Sequence, residues 1–416
     1  MKFFFPDSQD QVDPFFDMLS EEHPVHRIRQ RDDAYAHETL IERPFDGILL
    51  TKPIIDGQSG GGGSHYTESA RQRLYRQGVK EFFRLENRHA DVLTMGDCGA
   101  FTYSKEWDVP YKVDEVIDFY EGCGFDRGVA PDHIVFGFFQ PGDSPDREQL
   151  KEFKRRIKIT HENADQFLVR HSARSCSFEP MAVAHGWSAE SYAESVSKLI
   201  QLGYKRIAMG GMVPLRTPDI LNSLKSVKRE LKKSVELHLL GVTRVSEMSL
   251  FMGYGVTSFD STSPFFQSFK DATDNYYSGS ETYMAIRIPQ VDGNTSMKKI
   301  IASGKVNQNM AIDMEQRALN LIRRYADRKA KLEDVLESVL AYESLMPNRK
   351  DHSVAYARTL KDRPWEKCEC GICNNVGVEV IIFRGSERNK RRGFHNLAVF
   401  RQRMNKLEIP RVESKI

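Results

Sequence analysis

Ile207-Ala208-Met209-Gly210-Gly211-Met212 is a short apolar run that stops on two glycines. Such a run is too short for a helix. Being continuous rather than alternating, it fits a strand buried on both faces. Six further runs share its character: Ile48-Leu49-Leu50, Val92-Leu93-Thr94-Met95, Ile134-Val135-Phe136, Met181-Ala182-Val183-Ala184, Leu237-His238-Leu239-Leu240 and Val256-Thr257-Ser258-Phe259. Most are separated by roughly 20–45 residues of helical pattern, as parallel strands joined by crossover helices are. Seven such units approach the eight of a (β/α)8 barrel, which takes ~250 residues. A doubly wound sheet has the same rhythm. Polar or glycine positions directly after the runs (Gly96-Asp97, His185-Gly186, Gly210-Gly211, Gly241, Asp260) favour a TIM-like barrel, whose sites gather at the C-terminal strand ends.

The 416 residues are 40% hydrophobic and 28% charged, with a formal net charge of +2. That excludes a globally polybasic binder, so any nucleic-acid surface must come from local clustering of Lys and Arg. No apolar run approaches the ~20 residues of a membrane span. The start, Met1-Lys2-Phe3-Phe4-Phe5-Pro6-Asp7, is too short and too soon acidic for a secretory signal. The expectation is a soluble, cytoplasmic protein.

Two stretches interrupt the barrel pattern. Gly60-Gly61-Gly62-Gly63-Ser64 is a flexible loop by composition, either a natural hinge or an engineered linker. Between Asp260 and Cys368 a long helical pattern runs from about Ala311 to Met346 and stops at Pro347. Ile312, Leu319, Ile322, Leu332, Val335, Leu336, Val339 and Leu340 would form its apolar face. Arg317, Arg323, Arg324, Arg328, Lys329 and Lys331 decorate it, as a solvated surface or as one that meets phosphates. The expected division is a catalytic barrel over 1–275, a helical insertion over 276–350, and over 351–416 a zinc-binding subdomain with a C-terminal helix completing the barrel.

Three of the six cysteines lie close together, in Cys368-Glu369-Cys370-Gly371-Ile372-Cys373. A reducing compartment disfavours disulfides, so metal ligation is the better reading. One loop would wrap three corners of a tetrahedral zinc ion, and a histidine, His395 or His352, would supply the fourth. A closed Cys3His set has no open position for an activated water, so its role is structural.

Asp97 and Asp260 each follow a strand and are flanked by small residues. Two such carboxylates converging on a barrel mouth could divide nucleophilic attack at an anomeric carbon from proton transfer. Each is equally readable as a cap or turn residue. Gly210-Gly211-Met212 reads as close approach of backbone to a ligand or as a tight turn. His185 reads as a polar reader of a substrate edge or as a satisfied buried histidine.

Taken together, these motifs resemble the tRNA-guanine transglycosylase superfamily. Cys368-x-Cys370-x-x-Cys373 followed by His395-Asn396 is similar to its zinc signature, which selects His395 over His352. Asp97-Cys98-Gly99-Ala100-Phe101 resembles the Asp-Ser-Gly-Gly-Phe that carries the general acid/base. Phe259-Asp260 resembles the Phe-Asp of the nucleophile. Gly210-Gly211-Met212 and Leu240-Gly241-Val242 resemble the Gly-Gly-Leu and Met-Gly-Val of the purine pocket, and His185-Gly186 stands where the family has Gln-Gly. The resemblance spans roughly Ile48 to Met404.

Two departures point within the superfamily. Ser261-Thr262-Ser263-Pro264 replaces the Pro-Thr-Arg that follows the tRNA enzymes' nucleophile, and 108 residues separate Asp260 from Cys368. Both resemble the DNA-directed branch, the DpdA-type DNA-guanine transglycosylases. The resemblance implies exchange of guanine in DNA for 7-cyano-7-deazaguanine, with Asp260 as nucleophile and Asp97 as general acid/base. It further implies a purine site of Cys98, Phe101, His185, Gly210, Gly211, Met212, Leu240 and Gly241, with Phe101 stacking on the base or packing in the core. A structural zinc, partner proteins of a bacterial or phage DNA-modification cluster, and homodimerisation as an option complete the implication. The family's second purine-reading Asp has no obvious match. With Ile134 to Phe138 as its strand, Asp132 falls on the wrong end, and Asp143 is left as the substitute. Lys390, Arg391, Arg392, Arg401 and Arg403 would meet phosphates or form a solvated face. The competing readings are a tRNA-guanine transglycosylase, a non-catalytic zinc-containing nucleic-acid-binding subunit, and an ordinary glycosidase, which leaves the cysteines unexplained.

Overall fold

In the computed structural model, which describes residues 1–57, 65–140, 142–143, 146–346 and 350–407, eight parallel strands close into a barrel. They are β1 (Lys2–Pro6), β2 (Gly47–Thr51), β3 (Leu93–Asp97), β4 (Arg127–Val129), β5 (Glu179–Ala184), β6 (Arg206–Met209), β7 (Glu236–Leu239) and β8 (Val256–Asp260). Closure comes from β1, which pairs with β2 on one side and β8 on the other, and this excludes the doubly wound sheet. Phe4, Leu49, Met95, Val129, Met181, Val183 and Ala208 cluster as a buried core, packed as barrel interiors are. Gly60–Ser64 and Pro347 lie outside the described residues.

Two strands differ from the sequence expectation. The sequence presents β1 only as a chain start, yet Phe3 and Phe4 are fully buried within it. Each such side chain contributes about 1.5–3 kcal/mol of burial. β4 is Arg127–Val129, whereas Ile134 to Phe138 carries no strand. Packing accounts for its weak signature. Tyr120, on the crossover helix Val113–Cys123, lies against Gly96 and Gly128, where an added Cβ would stand 2.3 and 2.4 Å from its ring. Its hydroxyl donates to the Val129 carbonyl at 2.9 Å. Arg127 is buried beside Glu179, which also pairs with Arg206, and Arg206 pairs with Glu236. These four residues begin neighbouring strands, so a charge ladder ties the N-terminal rim together.

The described residues divide into two compact units, the first within 1–9, 45–262 and 406–407 and the second within 10–44 and 263–405. The second unit is mainly helical, with an antiparallel pair β9 (Tyr276–Ser278) and β10 (Glu281–Tyr283), and a parallel pair β11 (Ile286–Arg287) and β12 (Ile382–Phe383). The single helix expected from Ala311 to Met346 is instead two, Gln308–Ala326 and Leu332–Glu343. Arg328 breaks them apart with a left-handed φ of 63°. Arg323 is held by Glu379 at 2.7 Å, and Arg328 by both oxygens of Glu366. Arg317, Arg324, Lys329 and Lys331 are exposed.

The basic run on helix Gly385–Asn405 is corrected more strongly. Arg391 and Arg392 are buried, so for them neither a solvated face nor a phosphate contact holds. Arg391 bonds Glu387 and the Asp13 carbonyl, while Arg392 donates to the carbonyls of Ser268, Val380 and Ile382. Among the described residues no helix is long and apolar enough to cross a membrane.

Candidate active site and metal centre

A cavity of about 1030 Å3 opens in the barrel unit at the C-terminal strand ends. Asp97 ends β3 and Asp260 ends β8, and both line it. Phe101, His185, Gly210, Gly211, Leu240 and Gly241 line it as well. Cys98 and Met212 are fully buried behind the wall of described residues. Phe101 is 71% exposed, which rules out the core reading, and it meets Phe136 edge to face at 5.8 Å.

Asp132 is the residue that sequence reasoning misplaced. Because β4 ends at Val129, Asp132 follows the C-terminal end of its strand and lines the cavity. Asp143 is exposed and accepts from the main-chain N–H of Gln140, which caps its own turn. The available signal was Val129-Ala130-Pro131-Asp132, an acid just past a short strand, and the more apolar Ile134–Phe138 masked it.

A buried polar network surrounds Asp132. Its Oδ2 lies 2.7 Å from His185 Nε2, and its Oδ1 accepts from the Cys98 thiol at 3.1 Å. Tyr103 donates to the Asp132 carbonyl at 3.0 Å. Burial, then the charges of Asp132 and Asp97, push the Cys98 thiol well above its ordinary range, so it stays protonated and acts as a donor. Cys98 therefore positions Asp132 from behind.

Desolvation raises the Asp97 carboxyl to about 7, with the nearby charges of Asp132 and Asp260 adding to the effect. The Gly99 N–H, donating at 3.0 Å, opposes the shift. A carboxyl titrating near neutrality can both give and take a proton. Asp260 is held differently, with Oδ1 accepting from the Gly241 N–H at 2.9 Å and lying 3.1 Å from His238 Nε2.

Gly210 and Gly211 are required by the protein's own packing. A Cβ on Gly210 would stand 2.3 Å from the His185 ring. One on Gly211, which has a φ of 73°, would stand 2.6 Å from the Val135 carbonyl oxygen. Both glycines also line the cavity. His185 is 1% exposed and only partly satisfied, since its Nδ1 has no partner among the described residues.

The second unit brings Cys368, Cys370, Cys373 and His395 together, with the three sulfurs 3.5, 3.4 and 3.3 Å from His395 Nδ1. A tetrahedral zinc with ordinary Zn–S and Zn–N lengths needs S···N separations of about 3.5 Å. His395 Nε2 lies 2.7 Å from the Tyr277 carbonyl. That bond places the hydrogen on Nε2 and turns the Nδ1 lone pair toward the thiols, as in a metal-ligating histidine. The Tyr276 ring stacks on His395 at 4.1 Å. Asn396 clamps the same hairpin, accepting from the Tyr277 N–H at 2.9 Å and donating to the Asn275 carbonyl at 3.2 Å. His352 is engaged elsewhere, 2.7 Å from Glu343. The donor set and its spacing fit a zinc site.

No family profile matches the chain. It is 48% identical over 408 residues to a Salmonella montevideo protein named DNA-guanine transglycosylase, covering 97% of this chain and 96% of that one. With that likeness running the length of both chains, over a closed barrel with carboxylates at its strand ends, the chain belongs to the DNA-guanine transglycosylase family.

Proposed function

We propose that this chain exchanges guanine in DNA for 7-cyano-7-deazaguanine through a covalent aspartyl–deoxyribose intermediate. The observation that carries the reading is the convergence of Asp97, Asp132 and Asp260 from three strand ends on one cavity, in a chain 48% identical to a DNA-guanine transglycosylase. Asp260 attacks C1′ of the deoxyguanosine, and the C1′–N9 bond breaks with its electron pair leaving on guanine. Asp97, near neutrality, supplies the proton that the departing purine takes up. The incoming base then loses a proton to Asp97 and attacks C1′, and the ester bond returns its pair to Asp260. Asp132 and His185 hold the polar edge of the base, and exposed Phe101 stacks on its face.

The nucleotide must leave the duplex stack to reach the barrel mouth, which costs on the order of a few kcal/mol and less in single strands. We assign zinc to the Cys3His set as a structural ion, and no step runs through it.

The test is incubation of DNA and of tRNA with labelled 7-cyano-7-deazaguanine and the purified protein, followed by mass analysis of nucleosides. Label is expected in DNA and lost with Asp260→Ala. Label in tRNA alone would select the tRNA enzyme, and label persisting in the variant would remove Asp260 as nucleophile.

A further inference from the structure

His238 is an inward-facing β7 residue, 1% exposed, that the exchange steps leave without a role. Its Nε2 lies 3.1 Å from Asp260 Oδ1, and its Nδ1 lies 2.9 Å from Ser258 Oγ. Ser258 is its direct neighbour across the β7–β8 pair and is itself 3% exposed. The Phe4 and His238 rings pack edge to face, at 5.8 Å and 74°. A carboxylate only accepts hydrogen bonds, so Nε2 must carry the hydrogen in this contact. In the neutral ring Nδ1 is then the acceptor, and the Ser258 hydroxyl satisfies it.

We infer that Ser258 and His238 form a positioning relay for the nucleophile, fixing which oxygen of Asp260 attacks; the inference rests on the aspartyl reading of the exchange. The two donors, His238 Nε2–H and the Gly241 N–H, both meet Oδ1. Among the described residues no donor reaches Oδ2. Oδ2 therefore keeps the unshared lone pairs and forms the bond to C1′, while Oδ1 becomes the carbonyl oxygen of the ester. The same two donors hold Oδ1 before and after attack, so the carboxylate does not rotate between the half-reactions. When the ester breaks, the pair returns to a carboxylate already oriented for release. The imidazole moves no proton in this scheme.

The discriminating experiment measures the single-turnover rate of the covalent protein–DNA adduct, resolved on a denaturing gel, beside steady-state kcat and KM for DNA. In His238→Phe, which keeps ring volume and removes both nitrogens, adduct formation is expected to fall at least tenfold with KM for DNA unchanged. His238→Gln, whose amide can restore the donor near the Nε2 position, recovers a large part of the rate. Ser258→Ala gives an intermediate loss, because it frees the tautomer and leaves the ring. Melting temperatures within a few degrees of the parent identify the folded variants, and Ser258→Ala, the smallest change, carries the test if His238→Phe does not fold. A parental adduct rate in folded His238→Phe, or in Ser258→Ala if that variant carries the test, overturns the relay. So does a loss confined to KM. Failure of the aspartyl reading has its own signature, since parent protein giving exchange without an adduct, or Asp260→Ala retaining exchange, removes the nucleophile itself.

Discussion

Asp97 and Asp132 present carboxylate oxygens within 4.8 Å of one another across Cys98. After desolvation, the Asp132 charge is the largest cause holding the Asp97 carboxyl near 7. Removing that charge should make Asp97 more acidic. In Asp132→Asn the alkaline limb of the exchange rate, measured at saturating base, is therefore expected to move to lower pH. On the alkaline side of the new midpoint, the protonated fraction falls about tenfold for every further pH unit. A limb that stays in place would show that Asp97 is not the titrating acid.

The same raised value has a stability counterpart. Asp97 titrates at about 7 in the folded chain against an ordinary 3.8. Below that ordinary value both states hold the proton and the folded state keeps its full advantage. Between the two values only the folded state retains it, so stability falls as pH rises through the window and levels off above 7. Asp97→Asn does not titrate. Relative to it, the wild-type chain should lose up to about 4 kcal/mol between pH 4 and pH 8. Melting temperatures of both proteins at pH 5 and pH 8 check this: the variant should gain on the parent as pH rises, while its exchange activity is lost. A gap independent of pH would mean that Asp97 is an ordinary carboxylate.

Continuous apolar runs, and the small or polar residues that end them, were legible in the sequence. Six of the eight strands announced themselves as apolar runs, and Asp97, His185, Gly210–Gly211 and Asp260 followed from being the next polar or small residues. β4 was not legible because its space is taken by rings from elsewhere: Gly128 is there to clear Tyr120 and Phe178, and Arg127 is there to meet Glu179. Asp132 was displaced with it. His238 looked like one polar residue in an apolar run, and only the neighbouring strand shows that it faces Asp260.

Arg392 shows the opposite failure, a charge that sequence alone places on the surface. It is fully buried with no carboxylate partner among the described residues, and burial lowers its guanidinium to about 9. Its bonds go to main-chain carbonyls and Asn389 Oδ1. Arg392→Ala would leave those buried acceptors without donors, a loss of about 3 kcal/mol or more. The expected result is a lower denaturation midpoint, with an unchanged salt dependence of DNA binding in the folded fraction. A phosphate contact would do the reverse, flattening the salt slope by about one and sparing stability.

The Cys3His cluster can be tested apart from catalysis. Cys370 and Cys373 are buried, His395 is fully so, and the Tyr277 carbonyl fixes the imidazole from behind. Without an ion, three thiols, two of them buried, would crowd one nitrogen lone pair. Structural zinc contributes on the order of 10 kcal/mol in small zinc-held domains. Elemental analysis should therefore find one zinc per chain, and Cys373→Ser should retain well under one. Prolonged chelation should lower the melting temperature and open segment 263–405 to protease. Because the proposed chemistry uses Asp97 and Asp260, exchange should decline only in step with the folded fraction. Chelation that removes the metal and leaves both melting and proteolysis unchanged would deny the ion a structural role. Loss of exchange at full folding would instead place the metal within reach of the reaction.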